Sequence, residues 1–212
     1  SHMVINYNGN GGLTYQGESG ALNESFADIF GTCIEFYGAT SPNWTIGENI
    51  VLVSPYYARS MSNPNSAPQQ FGQQPDTYQG LYWKNTTNLN DDHGGVHCNS
   101  GVQNFWFYLL CQGGSGTNDL SNAYSVTGIG ITQARQIAYR NLITYLTPSA
   151  TYYDAYLGSL QSAEDLYGNP STQYDAVRNA WYAVGIGNSA NSYCSGTTYL
   201  TATSGTFTDG SG

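Results

Sequence analysis

Residues 17–31, GESGALNESFADIFG, decide how the rest of the chain is read. Leu22, Phe26, Ile29, Phe30 and Cys33 recur at the spacing of one face of an α-helix. Glu24 and Asp28 lie one turn apart on another face, and Glu35 joins them about three turns along. Like charges one turn apart cost roughly a few tenths of a kcal/mol on an isolated helix. A solvated helix face would account for such a stripe in most chains. Here only 9% of residues are charged, so carboxylates are scarce and the stripe also reads as a site.

The 212 residues suffice for one good-sized domain, or a domain with a fragment of another. Acidic residues outnumber basic ones 14 to 5, for a formal charge of −9 and a pI near 4.3. That balance argues against nucleic acid or anionic membrane as partners, since both need basic patches. The polar surface must come from Asn, Ser, Thr, Gly, Gln and 19 tyrosines, with Lys84 the single lysine, a composition that points to an extracellular protein. No apolar run has the length of a membrane span, and no signal peptide opens the sequence. Ser1, His2 and Met3 (residues 1–3) read as the scar of a cleaved affinity tag, which makes the rest a piece cut from something longer, beginning at Val4.

Beyond the acidic helix, residues 38–97 show little periodicity, and SPNW, SNPNSAP and QQPD mark turns. A stretch that long without strong elements is functional, metal-stabilised or built from short hidden elements. Four helical patterns follow, over residues 99–112, 131–146, 152–167 and 173–184. Their apolar faces carry Val102, Phe105, Trp106, Leu109 and Leu110, then Ile137, Leu142, Ile143 and Leu146, and finally Val177, Ala180, Trp181 and Val184. Gly113, Pro148, Gly168 and Gly185 end them. The expected fold is mainly α: five helices in an orthogonal bundle, a long irregular loop region and a β-like tail over residues 188–212.

Four cysteines allow three pairings. On one helix Cys98 and Cys111 would stand about 20 Å apart, beyond disulfide reach. Either Cys33 pairs with one of them or the thiols are free and buried.

Residues 91–101, DDHGGVHCNSG, hold His93 and His97 at the spacing of two zinc ligands on a helix. Gly94-Gly95 between them argues against a helix there. A second reading has Asp92 orient His97, since an adjacent carboxylate favours a cationic imidazole that can stabilise developing negative charge. A third has the histidine cap the next helix. Arg59, the one arginine of the loop region, reads alone as a loop pin paired with a carboxylate.

In this order, GLTYQGESGALNESFADIFG, ARSMSNP, DDHGGVHCNSGV and AVRNAWYAVGIG resemble the C-terminal half of the thermolysin-like neutral metalloproteases, over residues 4–187. The resemblance implies a secreted zinc endopeptidase acting on proteins or peptides. It implies Glu24 as a zinc ligand, completing a His₂Glu site with two histidines. Asp28 would hold a histidine ligand through its free ring nitrogen. His97, backed by Asp92 and assisted by Tyr15, would stabilise the oxyanion, and Arg59 would grip a substrate carbonyl.

The resemblance also implies an H-E-x-x-H segment, expected just upstream, that supplies two zinc ligands and the base. His2 falls near the register of its second histidine and is set aside as coincidence. Without that segment the fragment should be silent, and the missing N-terminal half of the same peptidase is its expected partner. For calcium, Glu35 and Glu48 match the family, whereas Asn43 and Thr45 fill other liganding positions, so one weak site is expected rather than two. A short insertion falls between Gly9 and Gly12, and the tail is similar to the start of a CUB-like β-sandwich. The alternative is a non-catalytic extracellular binding module on the same fold.

Overall fold

Helix α2, Gly17–Gly38, forms one wall of the site in the computed structural model, which describes residues 2–7, 9–68 and 72–189. Leu22, Phe26, Ile29 and Cys33 face the core, as their spacing predicts. A short helix α1, His2–Asn6, lies against it. Among the described residues of the loop region stand two-residue strands, β1 (Thr45–Ile46) and β2 (Arg59–Ser60), paired antiparallel with Ile46 opposite Arg59, and a 3₁₀ turn, Pro64–Ser66. This pairing fixes where Arg59 sits.

Helix α3, Asp92–Asn99, begins with His93, Gly94 and Gly95 at φ of 51°, 88° and 77°. The left-handed region suits glycine and breaks the helical register, and both imidazoles pack edge-on against Tyr15, His93 at 5.7 Å and His97 at 6.2 Å. Glycine also lets α3 close on α2. A Cβ on Gly20 would stand 2.4 Å from Val96 Cγ1, and one on Gly94 would stand 2.5 Å from the Thr86 carbonyl and 3.1 Å from Gly17 Cα.

Four longer helices complete the body: α4 (Gly101–Gln112), α5 (Gly130–Arg140), α6 (Tyr152–Tyr167) and α7 (Thr172–Ala183). Helix α4 packs on α2, α5 and α7, and α6 packs on α5 and α7. At their centre Trp106 stacks on Trp181 at 4.9 Å, with Tyr152 and Tyr156 both edge-on to Trp181. Thr151 and Asp154 form a capping box on α6, and Ser171 caps α7. Glu18 joins the starts of two helices: it accepts from the Tyr152 backbone N–H and from the Tyr78 hydroxyl, both at 2.8 Å.

The mainly helical fold is the expected one; besides the short helices α1 and α3, it differs from the expectation at two further places. The helix predicted over 131–146 becomes π-helical at Asn141–Tyr145, where Asn141 donates to the Ala155 carbonyl and fits the notch at Gly158. A hairpin of β3 (Gly114–Thr117) and β4 (Ala123–Val126) stands where no strand was read. Cys33, Cys98 and Cys111 are free and buried, and burial pushes the Cys33 and Cys98 thiols up to about 11. Among the described residues no helix is long and apolar enough to cross a membrane. The β-like tail from residue 190, with Cys194 and the CUB-like similarity, lies outside the described residues.

Candidate functional site

Glu24 projects from α2 with its carboxylate nearly buried, the side chain 10% exposed. Because the glycines hold α3 against α2, His97 reaches it: His97 Nε2 lies 3.7 Å from Glu24 Oε2. Asp92 holds His97 from behind at two points. Its Oδ1 is 2.6 Å from the ring Nδ1, and its Oδ2 accepts from the His97 backbone N–H at 2.8 Å. Tyr15, from the turn before α2, donates its hydroxyl to Glu24 Oε1 at 2.5 Å and lies 3.1 Å from His97 Nε2. Burial, then the bond to Glu24, raises the Tyr15 phenol well above its ordinary pKa, so it remains a proton donor.

A fifth group is one that sequence reasoning set aside. His2, on α1, places Nε2 3.8 Å from Glu24 Oε1 and Nδ1 2.8 Å from Asn23 Oδ1. Asn23 is 2% exposed and its amide nitrogen donates to the Leu13 carbonyl, which turns its oxygen toward the imidazole. That oxygen can only accept, so Nδ1 carries a proton and Nε2 is the ring nitrogen turned to the carboxylate. Two signals were available in the sequence: the register of His2, and a polar Asn23 beside Glu24 on a helix whose neighbours are core residues.

Asp28, one turn along α2, faces Arg59 rather than any imidazole among the described residues. It accepts from Arg59 Nε at 3.0 Å and Nη2 at 2.7 Å, and from Asn104 Nδ2 at 2.8 Å. Burial works against the guanidinium charge, but Asp28, with Glu24 and Tyr15 adding to it, outweighs burial and the Arg59 pKa rises above its ordinary value. Asp28 also lines a cleft of about 550 Å³ with Thr32, Ile46, Gly47 and Ile50. Glu35 and Glu48 sit at the far end of that cleft, separate from the Glu24 cluster.

A carboxylate and a neutral imidazole nitrogen are zinc donors, and a catalytic zinc needs three protein ligands. Glu24 and His2 fit two of these places. Among the described residues no group of three His, Cys, Asp or Glu side chains is disposed to hold a metal ion, so they do not complete the set.

The family described as the thermolysin metallopeptidase alpha-helical domain matches residues 11–186. Bacillolysin of Bacillus caldolyticus is 41% identical over 186 residues, which cover 88% of this chain and 31% of that protein. Thermolysin of Alicyclobacillus acidocaldarius gives the same figures, 41% over 186 residues. Among solved structures, the precursor of protealysin, a metalloproteinase from Serratia proteamaculans, superposes with a TM-score of 0.66 at 28% identity, covering 88% of this chain and 55% of that one. The chain thus spans about a third of the length of its curated relatives, matching 31% of bacillolysin. With this match across most of its length, the chain belongs to the thermolysin metallopeptidase family, of which it carries the α-helical domain.

Proposed function

We propose that this chain is the C-terminal helical domain of a secreted zinc metalloendopeptidase that hydrolyses peptide bonds in protein or peptide substrates. One observation carries the reading: Glu24, His97, Tyr15 and His2 converge on one face of α2. In this reading Glu24 and His2 hold the zinc, and the rest of the full-length protein supplies a further histidine. Asn23 keeps His2 in the tautomer that ligation needs. When bound, zinc would supply an activated water and polarise the substrate carbonyl.

The chain's own residues have distinct tasks. His97, held by Asp92, and Tyr15 donate hydrogen bonds to the carbonyl oxygen as negative charge develops on it. Tyr15 suits that task because burial and Glu24 keep its phenol protonated. Asp28 uses two of the five guanidinium N–H groups and fixes the plane of Arg59. The remaining donors grip a substrate carbonyl beside the scissile bond. Two ligands cannot hold zinc in a catalytic site, so the 212-residue chain alone is silent and regains activity with the rest of the protein.

Zinc content and turnover of the full-length enzyme test the assignment. Glu24→Gln should lose the metal, and His2→Ala should lose it as well. His97→Ala should keep the metal and lower turnover by roughly 10²–10³-fold, the usual cost of one oxyanion donor. Stoichiometric zinc in the Glu24→Gln enzyme would refute the ligand set, and stoichiometric zinc after His2→Ala would return His2 to a tag residue.

A further inference from the structure

The loop after α2 is where family resemblance and this chain's residues part. A calcium site takes six to eight oxygen ligands, several of them carboxylate. Glu35 and Glu48 retain carboxylates, but N–H groups already engage them. Glu35 Oε1 accepts from the Asn43 backbone N–H at 3.1 Å, and Glu48 Oε1 accepts from the Asn43 side-chain amide at 3.0 Å. Asn43 Oδ1 accepts in turn from the Thr45 N–H at 2.7 Å and the Thr45 hydroxyl at 2.6 Å.

One asparagine thus ties both carboxylates and the start of β1 into a single lattice. The group it turns toward Glu48 is an amide –NH₂, which donates and cannot ligate a cation. Asp28, the other acid lining the cleft, is committed to Arg59 and Asn104. The remainder of the loop is anchored by packing and backbone pairing. Trp44 lies 4.8 Å from Phe36 and 5.2 Å from Tyr108, and the Met61 N–H donates to the Trp44 carbonyl at 2.8 Å. These residues do not fit the calcium cluster that the resemblance implies.

We propose that Asn43 takes the place of the cation: its backbone N–H and side-chain amide together cross-link Glu35 and Glu48, and the loop is ordered without a divalent metal. The proposal does not rest on the peptidase reading, because its readout is a melting midpoint taken without zinc or substrate.

The test is the thermal midpoint of the 212-residue chain, followed by circular dichroism in EDTA and with added calcium or magnesium. A cation bound at a hundred times its Kd raises the midpoint of a chain this size by roughly 5–10 °C. The expected change at about 10 mM calcium is below about 1 °C. A saturable rise on that larger scale, lost in Glu48→Gln, overturns the proposal. Asn43→Asp replaces the amide donor with a third carboxylate, so its midpoint should fall in EDTA and climb by about 5 °C or more with calcium. A folded Asn43→Asp chain indifferent to calcium also counts against it, since the amide was then not what displaced the cation. Should that variant fail to fold, the unsubstituted chain's titration still decides.

Discussion

Replacing Arg59 by leucine isolates the interaction that holds the Asp28 side of the site together. Asp28 is 7% exposed and takes three donors, two of them from Arg59. In Arg59→Leu the carboxylate stays buried with one neutral donor, Asn104. Removing one partner of a buried pair costs about 3–5 kcal/mol, mostly the penalty of the charge left behind. The Arg59 side chain is 25% exposed, so water reaches the vacated side and the lower end applies, about 3 kcal/mol. For a chain of this length that lowers the midpoint by about 6–12 °C. Urea unfolding followed by circular dichroism would read it as a lower Cm at unchanged m. Adding Asp28→Asn removes the charge yet leaves an acceptor for Asn104, so the double variant should recover half of the loss or more. A loss below about 1 kcal/mol in Arg59→Leu, or a double variant no better than the single one, would show that the pair is not coupled as the geometry implies.

Three further substitutions probe other parts of the fold. Gln103 is fully buried with neither amide atom partnered among the described residues, so Gln103→Leu should stabilise the chain by about 1–2 kcal/mol; a lower Cm would disprove the orphaned amide. Gly20→Ala drives a methyl to 2.4 Å from Val96 and should cost about 1–3 kcal/mol, with much of it restored by Val96→Ala in the same chain; a Gly20→Ala chain of unchanged Cm contradicts the close approach. Burial and the bond to Glu18 push the Tyr78 phenol up to about 12 from an ordinary 10. The folded state therefore holds that proton more tightly. Its contribution to stability is intact below pH 10 and lost as pH rises toward about 12. Tyr78→Phe should make the alkaline fall in Cm shallower, and an unchanged slope would remove Tyr78 from the account.

The helices were legible because local chemistry and burial agree in them. Leu22, Phe26 and Ile29 keep one face, Thr151 caps with Asp154, and Gly168 and Gly185 stop what precedes them. The β3–β4 hairpin was not legible because Gly114–Thr117 is exposed on every residue and so carries no alternation. The π-helical turn hid because one extra residue leaves the apolar pattern nearly unchanged: Leu142 and Leu146 are buried either way. In the site, Gly94-Gly95 announced a break, whereas the left-handed His93 had no signal of its own. Spacing could not bring His97 to Tyr15 and Glu24, since residues 82 positions apart meet only through the packing of α3 on α2. The register of His2 was visible in the sequence, but its approach to Glu24 was not, because it depends on the packing of α1 on α2.

The Glu18 carboxylate, shared by Tyr78 and the first turn of α6, gives the domain a timetable. Its two partners lie 60 and 134 residues downstream. At about 5–20 residues per second, a ribosome takes roughly 7–27 s to deliver Tyr152 after Glu18. Throughout that interval the helix bearing Glu24 waits for the element that fastens its start. Within this domain, the wall of the site emerges before the element that fastens it, so its completion waits on translation of α6.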